Sequence, residues 1–324
     1  MTSSSRPARE RPVDPTSDKG GSETGGASDP AGIVGSGVEK PTLDELELEL
    51  DALMPVGRPA GLSGYLADVW RRREFALRVP LLDLKAEHRT TALGNVWHLA
   101  DPILLMLVYW LVFGVVLGVA REGIDNYVAY LAAGIFPFYY SRKAISTASR
   151  ALVRNENLIR SIAFPRAILP ISSFVTETLA FLPGAVVMFA AILLTGETPN
   201  SRWLLAPLVF VLQAVFTQGA CFAIARATYR YRDLYNTLPF MFRLLFYGSA
   251  ILYNHNSYER FVSGYRHLAF DLNPFFGIVA CYRWVLLGYE MSTTALVASL
   301  TWAVLALVGG LLWFWRGETT YGAV

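Results

Sequence analysis

The sequence contains no Gly-Lys dipeptide, so it has no phosphate-binding loop of the form GxxxxGK followed by Ser or Thr. That loop needs its lysine directly after the second glycine, because the lysine reaches the phosphates that the loop backbone holds. The four histidines are scattered without metal-ligand spacing. The two cysteines, Cys221 and Cys281, are too few for a disulfide framework and have apolar neighbours. We therefore expect no nucleotide, cofactor or metal site in this chain, and any work that it performs would draw on another chain or on an ion gradient.

Charged residues are also scarce. They make up 17% of the 324 residues, against 53% hydrophobic residues, whereas soluble domains have about 25% charged residues. Apolar runs of about 17 to 25 residues can cross a hydrocarbon core of about 30 Å. The sequence therefore predicts an all-α polytopic membrane protein with six transmembrane helices. They lie at about 97–119, 127–148, 168–195, 203–225, 238–254 and 294–315.

Basic residues are concentrated on one side of these six runs. The basic side consists of residues 71–89, 142–166 and 226–232, together with Arg316 after the last run. The opposite side is poorer in basic residues, although its longest loop contains Arg283. Lys and Arg in short loops are retained in the cytoplasm, so we expect both termini on the cytoplasmic side.

One acid, Glu177, lies within the third run. An ionisable group inside a membrane marks a functional site by default. The alternative, which we favour, is a structural ion pair with Arg226 or Arg243 of a neighbouring helix.

The first ninety residues divide into three parts. Residues 1–40 have the composition of a disordered cytoplasmic tail. Residues 41–54 form a short acidic amphipathic segment that could dock on a basic partner or form a transient solvated helix. Residues 64–89 predict an amphipathic interface helix lying on the membrane, with apolar residues on one side and basic residues largely on the other. Its characteristic residues are Trp70, Arg71, Arg72 and Arg73.

The segment between the fifth and sixth runs contains two short helical patterns. Asn273 and Pro274 separate Tyr258–Phe270 from Pro274–Leu287. Neither piece is long and apolar enough to span a membrane. We expect two short outer helices that are re-entrant or lie on the surface.

The most charged loop, residues 142–166, follows the second run. A short helix that docks in a cleft of an ATPase needs polar residues toward the partner and an apolar side toward its own membrane helices. Asn155, Glu156 and Asn157 supply the polar residues, whereas Leu152 and Ile159 supply the apolar side together with Leu158.

Four stretches of the chain, taken in order, resemble the membrane subunits of ABC-2 polysaccharide exporters, which serve O-antigen, teichoic acid and mycobacterial galactan. They are DLKAEHRTTALGNVWHLADPILLMLVYWLVFG, GIFPFYYSRKAISTASRALVRNENLIRSIAFPRAILPIS, YRYRDLYNTLPFMFRLLFYGSAILYN and LNPFFGIVACYRWVLLG. The resemblance covers about residues 64–316, and the acidic segment and tail lie outside it. It implies an ABC-2 transmembrane domain over residues 90–324, a dimer enclosing one channel, an interface helix, a coupling helix and two outer helices. It also implies two copies of a separate ATPase subunit, on which ATP and Mg would bind, and no nucleic-acid partner.

The resemblance also suggests roles for individual residues. The coupling surface toward the ATPase would consist of Arg154, Asn155, Glu156, Asn157, Leu158 and Arg160. A glycan channel favours aromatic side chains, which give flat amphipathic contact at low cost in rotamer freedom. The candidate lining residues are Tyr109, Trp110, Phe113, Phe246, Tyr247 and Tyr253. The alternative for each ring is an interfacial belt or helix packing.

The leading hypothesis is export of a lipid-linked polysaccharide across the bacterial plasma membrane, in contact with membrane lipids and driven by the partner ATPase. One alternative is an ABC-2 permease for drug or lipid efflux. A membrane-embedded glycosyl or acyl transferase is a further alternative, but it would need clustered acids or histidines at one membrane face, and the sequence shows no such cluster.

Overall fold

The computed structural model describes residues 61–72, 97–118, 124–161, 164–254 and 272–321, and this part of the chain is helical without any β-strand. The tail, the acidic segment, most of the predicted interface helix and the outer piece Tyr258–Phe270 lie outside the described residues. The helices, in chain order, are α1 (Leu62–Arg71), α2 (Trp97–Tyr109, continued by a π-helix over Trp110–Val116), α3 (Tyr127–Ser149), α4 (Ala151–Arg154), α5 (Glu156–Ser161), α6 (Ile168–Leu194), α7 (Ala206–Arg230), α8 (Leu234–Gly248), α9 (Pro274–Leu286) and α10 (Thr293–Arg316). Two 3₁₀ turns, Ser201–Leu205 and Glu318–Thr320, adjoin α7 and α10.

A helix occupies each of the six apolar runs, but the helices differ in length. Three are long and apolar enough to cross a membrane: Ile168–Leu194, Ser201–Arg230 and Thr293–Arg316. The fifth run departs most from its predicted bounds, since α8 ends at Gly248 and not at residue 254. The chain turns there through Ala250, which has a φ of 50°, and the backbone carbonyls beyond the helix bond to a side chain of α9.

Helix α3 forms the centre of the bundle. Most of its residues are buried on every side, as expected of a helix enclosed by others. The Gln213 amide of α7 donates to the Pro137 carbonyl (2.6 Å) and to Ser141 Oγ (2.8 Å) of α3. The Tyr282 hydroxyl of α9 donates to Gln213 Oε1 at 2.8 Å. Because buried polar groups must be hydrogen-bonded, this network fixes α3, α7 and α9 relative to one another.

Helix α9 is an interior element, so it is not a surface helix. Ten of its thirteen residues are buried, and they pack against α3, α7 and α10. Asn273 caps its first turn by accepting a hydrogen bond from the Phe275 backbone N–H at 3.0 Å. Arg283 lies in this buried helix with 6% of its surface exposed. It is therefore not a loop charge, and it does not indicate which side of the membrane this segment faces.

A second hydrophobic cluster closes one end of the bundle. It joins α1, the short helices α4 and α5, the start of α6, and the ends of α7 and α10. Its buried members include Tyr65, Leu152, Ile159, Phe314 and Tyr321. The segment after α3 is thus anchored to the bundle by its apolar side.

Candidate functional site

The predicted coupling segment folds as two short helices, α4 and α5, separated by Asn155. Leu152 and Ile159 are buried in the end cluster, and Leu158 packs against it. Exposed side chains alternate with them: Arg154, Asn157 and Arg160. The segment therefore has one side buried against its own bundle and one polar side open to contact.

Two of the predicted polar residues are engaged within the chain. Glu156 accepts a charge-assisted hydrogen bond from Arg232, with 2.8 Å between Oε1 and Nη2. The Asn155 amide donates to the carbonyl of Ala151, the first residue of α4, at 2.8 Å. The outward surface of the segment is consequently more basic than the sequence pattern suggests.

The turn between α7 and α8 lies beside the coupling segment. Besides the Arg232 contact, the guanidinium of Arg150 lies 3.3 Å from the centre of the Tyr235 ring, a cation–π geometry. In the sequence, Arg232 is one of several basic residues between the fourth and fifth apolar runs that indicate orientation. A signal was present in the opposite charges of Glu156 and Arg232, but nothing in a single sequence shows that they are adjacent.

Helix α1 is the described part of the predicted interface helix. Trp70 is 70% exposed, and Leu66, Arg71 and Arg72 are exposed as well. Tyr65, on the opposite side, is 5% exposed. Arg73 lies outside the described residues. The helix thus combines a face buried against the bundle with a face of Trp, Leu and Arg that suits a membrane interface.

A buried polar contact joins α1 to both the start of α6 and the C-terminal turn. The Tyr65 hydroxyl donates to Glu318 Oε2 at 2.8 Å and accepts from the Ala167 backbone N–H at 3.1 Å. Glu318 Oε1 accepts from the Arg166 backbone N–H at 2.8 Å. Burial raises the pKa of the Glu318 carboxyl, and the bonds from Arg166 and Tyr65 oppose that shift.

The six candidate lining rings occupy different environments. Phe246 is 6% exposed and stacks on Tyr109, with 5.3 Å between ring centres. Phe113 lies 6.0 Å from Tyr109, so these three rings pack α2 against α8. Trp110 and Tyr247 are 40% and 47% exposed.

Tyr253, the sixth ring, follows the end of α8 and is partly buried. Its hydroxyl donates to the Tyr247 carbonyl. Of the six candidate rings, Trp110 and Tyr247 are therefore the most exposed.

The buried acid of the third run has a different partner from the one expected. Glu177 is 4% exposed, and its carboxylate accepts from Thr147 Oγ1 at 2.8 Å and lies 3.9 Å from Lys143 Nζ. The predicted pairing with Arg226 or Arg243 is wrong, because α6 packs against α3 along the face that carries Lys143 and Thr147. Glu177 thus links two helices of the bundle.

These observations describe a membrane protein that is helical throughout its described residues and whose predicted coupling segment is anchored at one end of a helix bundle. The chain belongs to the ABC-2 type transporter family, whose pattern it matches over residues 84–287. Members of this family are membrane subunits of transporters and are not themselves ATPases; they typically work with an ATPase subunit. The predicted family membership is confirmed.

Among curated proteins, the chain is similar to O-antigen export permeases. It is 30% identical over 172 residues to the O-antigen export system permease protein RfbA of Klebsiella pneumoniae, a match that covers 53% of this chain and 65% of that protein. It is 25% identical over 243 residues to the protein of the same name from Myxococcus xanthus, covering 73% of this chain and 92% of that one. The chain therefore spans just under two thirds of the length of the Klebsiella relative.

Proposed function

We propose that this chain is the membrane subunit of an ATP-driven exporter of a lipid-linked polysaccharide, acting as a homodimer with two ATPase subunits in the bacterial plasma membrane. ATP and Mg bind to the ATPase, and both termini of this chain lie in the cytoplasm. The observation that carries the proposal is the coupling segment, which buries Leu152 and Ile159 and exposes Arg154, Asn157 and Arg160. The names of the relatives support polysaccharide as the cargo.

The two-sided coupling segment suits the transmission of force. Its apolar side is fixed in the end cluster, so a partner that displaces the exposed side must move α4 and α5 together with the helices packed on them. Close packing makes such movement concerted, because protein interiors are dense and have low compressibility.

The exposed aromatic rings of α2 and α8 support a saccharide pathway. A sugar chain presents hydroxyl groups and apolar C–H faces, and Trp and Tyr offer a flat ring together with a polar group. Trp110 and Tyr247 are the rings with this exposure. In the proposed dimer they would line the channel, while Tyr109, Phe113 and Phe246 hold the wall in place.

Depletion of the protein tests the cargo. We expect lipid-linked glycan to accumulate inside depleted cells and surface polymer to fall, because polymer made on the cytoplasmic side has lost its exit. Quantification of both pools by glycan labelling measures this, with re-expression of the intact gene as the control. Normal surface polymer together with new drug sensitivity would indicate drug or lipid efflux instead.

Charge reversal in the coupling segment tests the contact with the ATPase. We expect the double variant Glu156→Arg, Arg160→Glu to lose about tenfold or more of its ATP-driven export, as the loss of about 1.4 kcal/mol of contact energy would produce. Because Glu156 also pairs with Arg232, a triple variant that adds Arg232→Glu restores the internal pair. If the loss of export arises at the contact with the ATPase, the triple variant should still show low ATP-driven export.

The matched control for this experiment is Arg202→Glu. Arg202 is an exposed arginine in the 3₁₀ turn Ser201–Leu205, which precedes α7. The coupling segment packs near the opposite end of α7. Export is measured with the complex in proteoliposomes. Full export by the double variant, or full recovery in the triple variant, would remove the coupling segment from the proposed contact.

A further inference from the structure

Glu318 lies just after the last helix, yet it contacts two segments that are distant in the sequence. Its carboxylate accepts from the Tyr65 hydroxyl of α1 and from the Arg166 backbone N–H, both at 2.8 Å. The Arg166 guanidinium donates in turn to the Glu318 carbonyl at 2.6 Å. The Tyr65 hydroxyl also accepts from the Ala167 N–H. Three chain segments therefore meet at one carboxylate and one hydroxyl.

The contact between Tyr65 and Glu318 is almost inaccessible to solvent. Glu318 is 8% exposed and Tyr65 is 5% exposed, and Tyr321, Leu152 and Ile159 belong to the cluster around Tyr65. Burial raises the pKa of Tyr65 above its ordinary value, so the hydroxyl keeps its proton and remains the donor to the carboxylate. Hydrogen bonds to a charged group are among the strongest in proteins, and those removed from water gain further.

The contact lies immediately downstream of the coupling segment. Helix α5 ends at Ser161, and Arg166 and Ala167 precede the first turn of α6. The hydrophobic cluster by itself would not set the direction in which α1 moves, because apolar burial is non-directional. Hydrogen bonds with fixed geometry do set it.

We propose that Tyr65 and Glu318 are positioning residues that fasten together α1, the chain linking the coupling segment to α6, and the turn after α10. A displacement of the coupling segment by the ATPase then carries the interface helix and the last membrane helix with it. This inference rests on the proposed function, and it assigns to the C-terminal turn a part in energy transfer.

The first test measures the contact without any cargo. Amide hydrogen exchange of residues 62–71 is followed in the complex with its ATPase in lipid nanodiscs. We expect Tyr65→Phe and Glu318→Gln each to accelerate this exchange about tenfold, as the loss of one hydrogen bond to a charged group would do. The double variant should exceed the larger single effect only slightly, because both changes remove the same interaction.

Tyr321→Phe is the matched control. Tyr321 lies in the same cluster, and its hydroxyl donates to the Phe314 carbonyl of α10 at 3.1 Å. The same chemical change there should leave exchange of residues 62–71 within about twofold of the wild type, since the bond that this hydroxyl donates ends on α10 and not on α1. Wild-type exchange in both Tyr65→Phe and Glu318→Gln would overturn the proposal.

The second test measures coupling. In proteoliposomes, Tyr65→Phe and Glu318→Gln should keep the KM for ATP and most of the hydrolysis rate while the amount of glycan exported per ATP falls about tenfold. A variant with faster exchange and unchanged export per ATP would overturn the positioning role and leave the proposed function intact. If the wild-type complex exports no glycan, the proposed function fails, whereas the exchange result still decides whether the contact fixes α1.

Discussion

Replacing Gly310 by alanine will prevent the chain from folding normally, although alanine is the better helix former. A Cβ atom at Gly310 would overlap the carbonyl oxygen of Gly219 and lie 3.1 Å from its carbonyl carbon. A Cβ atom at Gly219 would likewise overlap the backbone of Ala306. The obstruction is backbone on both sides, so no side chain can rotate away. Helices α7 and α10 must therefore separate.

Separation of α7 and α10 will cost more than ordinary overpacking. Overpacked cores lose about 1 to 3 kcal/mol, and a forced shift of two whole helices should reach about 3 kcal/mol or more. Helices in membranes associate through small residues that allow close backbone approach. Gly219 and Gly310 are such residues at the contact between α7 and α10. We expect little monodisperse protein from Gly310→Ala and a clearly lower unfolding temperature in detergent.

The control for this prediction lies next to it in the chain. A Cβ atom at Gly309 would meet nothing within 4 Å, so Gly309→Ala should be neutral or stabilising by up to about 1 kcal/mol through helix propensity. Fluorescence-detected size exclusion and thermal unfolding compare the two variants directly. Equal behaviour of Gly310→Ala and Gly309→Ala would show that the helices are not in close contact.

The positions of the helices follow from composition along the chain. Apolar runs of membrane length are unambiguous, and all six contain a helix. Their ends are less predictable: the fifth run continues apolar through Ile251 and Leu252, yet α8 stops at Gly248. The reason is a contact with Arg283 that lies more than thirty residues away in the sequence.

Partners of buried polar groups could not be predicted for a similar reason. Glu177 was recognisable as a buried acid, but its neighbour is set by which face of α6 meets α3, and a single sequence does not contain that information. Tyr65 and Glu318 are 253 positions apart and neither stands out by motif. Local amphipathic pattern was sufficient to place Leu152 and Ile159 on the buried side of the coupling segment.

One close contact did leave a local trace. Gly219 and Ala223 on α7, and Ala306 and Gly310 on α10, each form a pair of small residues four positions apart. Such spacing is typical of closely packed membrane helices. It predicts that each helix has a close neighbour, but it does not say which helix that neighbour is.

Replacing Arg283 by lysine will destabilise the C-terminal end of α8, even though the charge is retained. The Arg283 guanidinium donates through Nη1 to the Ala250 carbonyl and through Nη2 to the Ile251 carbonyl, both at 2.9 Å. It also lies 3.4 Å from the centre of the Tyr130 ring. Only a planar fork can serve two carbonyls from two nitrogens while stacking on an aromatic ring. A lysine ammonium is a point charge that cannot hold both.

The turn that Arg283 holds is itself unfavourable. Ala250 has a φ of 50°, a left-handed conformation that costs roughly 1 to 2 kcal/mol for a residue with a Cβ atom. Without the guanidinium, the Ile251 carbonyl would lose its donor from α9, at a cost of about 1 to 3 kcal/mol for a buried unpaired group. The Ala250 carbonyl would keep only the longer bond from the Tyr130 hydroxyl at 3.3 Å. We therefore expect Arg283→Lys to lose about 3 kcal/mol and Arg283→Met to lose at least as much.

Two further variants make this prediction specific. Arg243→Lys, at an exposed position of α8, should unfold at nearly the wild-type temperature, because no buried carbonyl depends on that side chain in the described contacts. Ala250→Gly should recover about 1 kcal/mol in the Arg283→Lys background, since glycine adopts a positive φ without strain. Thermal unfolding in nanodiscs and protease sensitivity after Gly248 measure the effect. If Arg283→Lys and Arg243→Lys unfold alike, the bonds from Arg283 do not end α8. The turn at Ala250 would then be held by other contacts, such as the bonds from the Tyr127 and Tyr130 hydroxyls to the Leu252 and Tyr253 carbonyls.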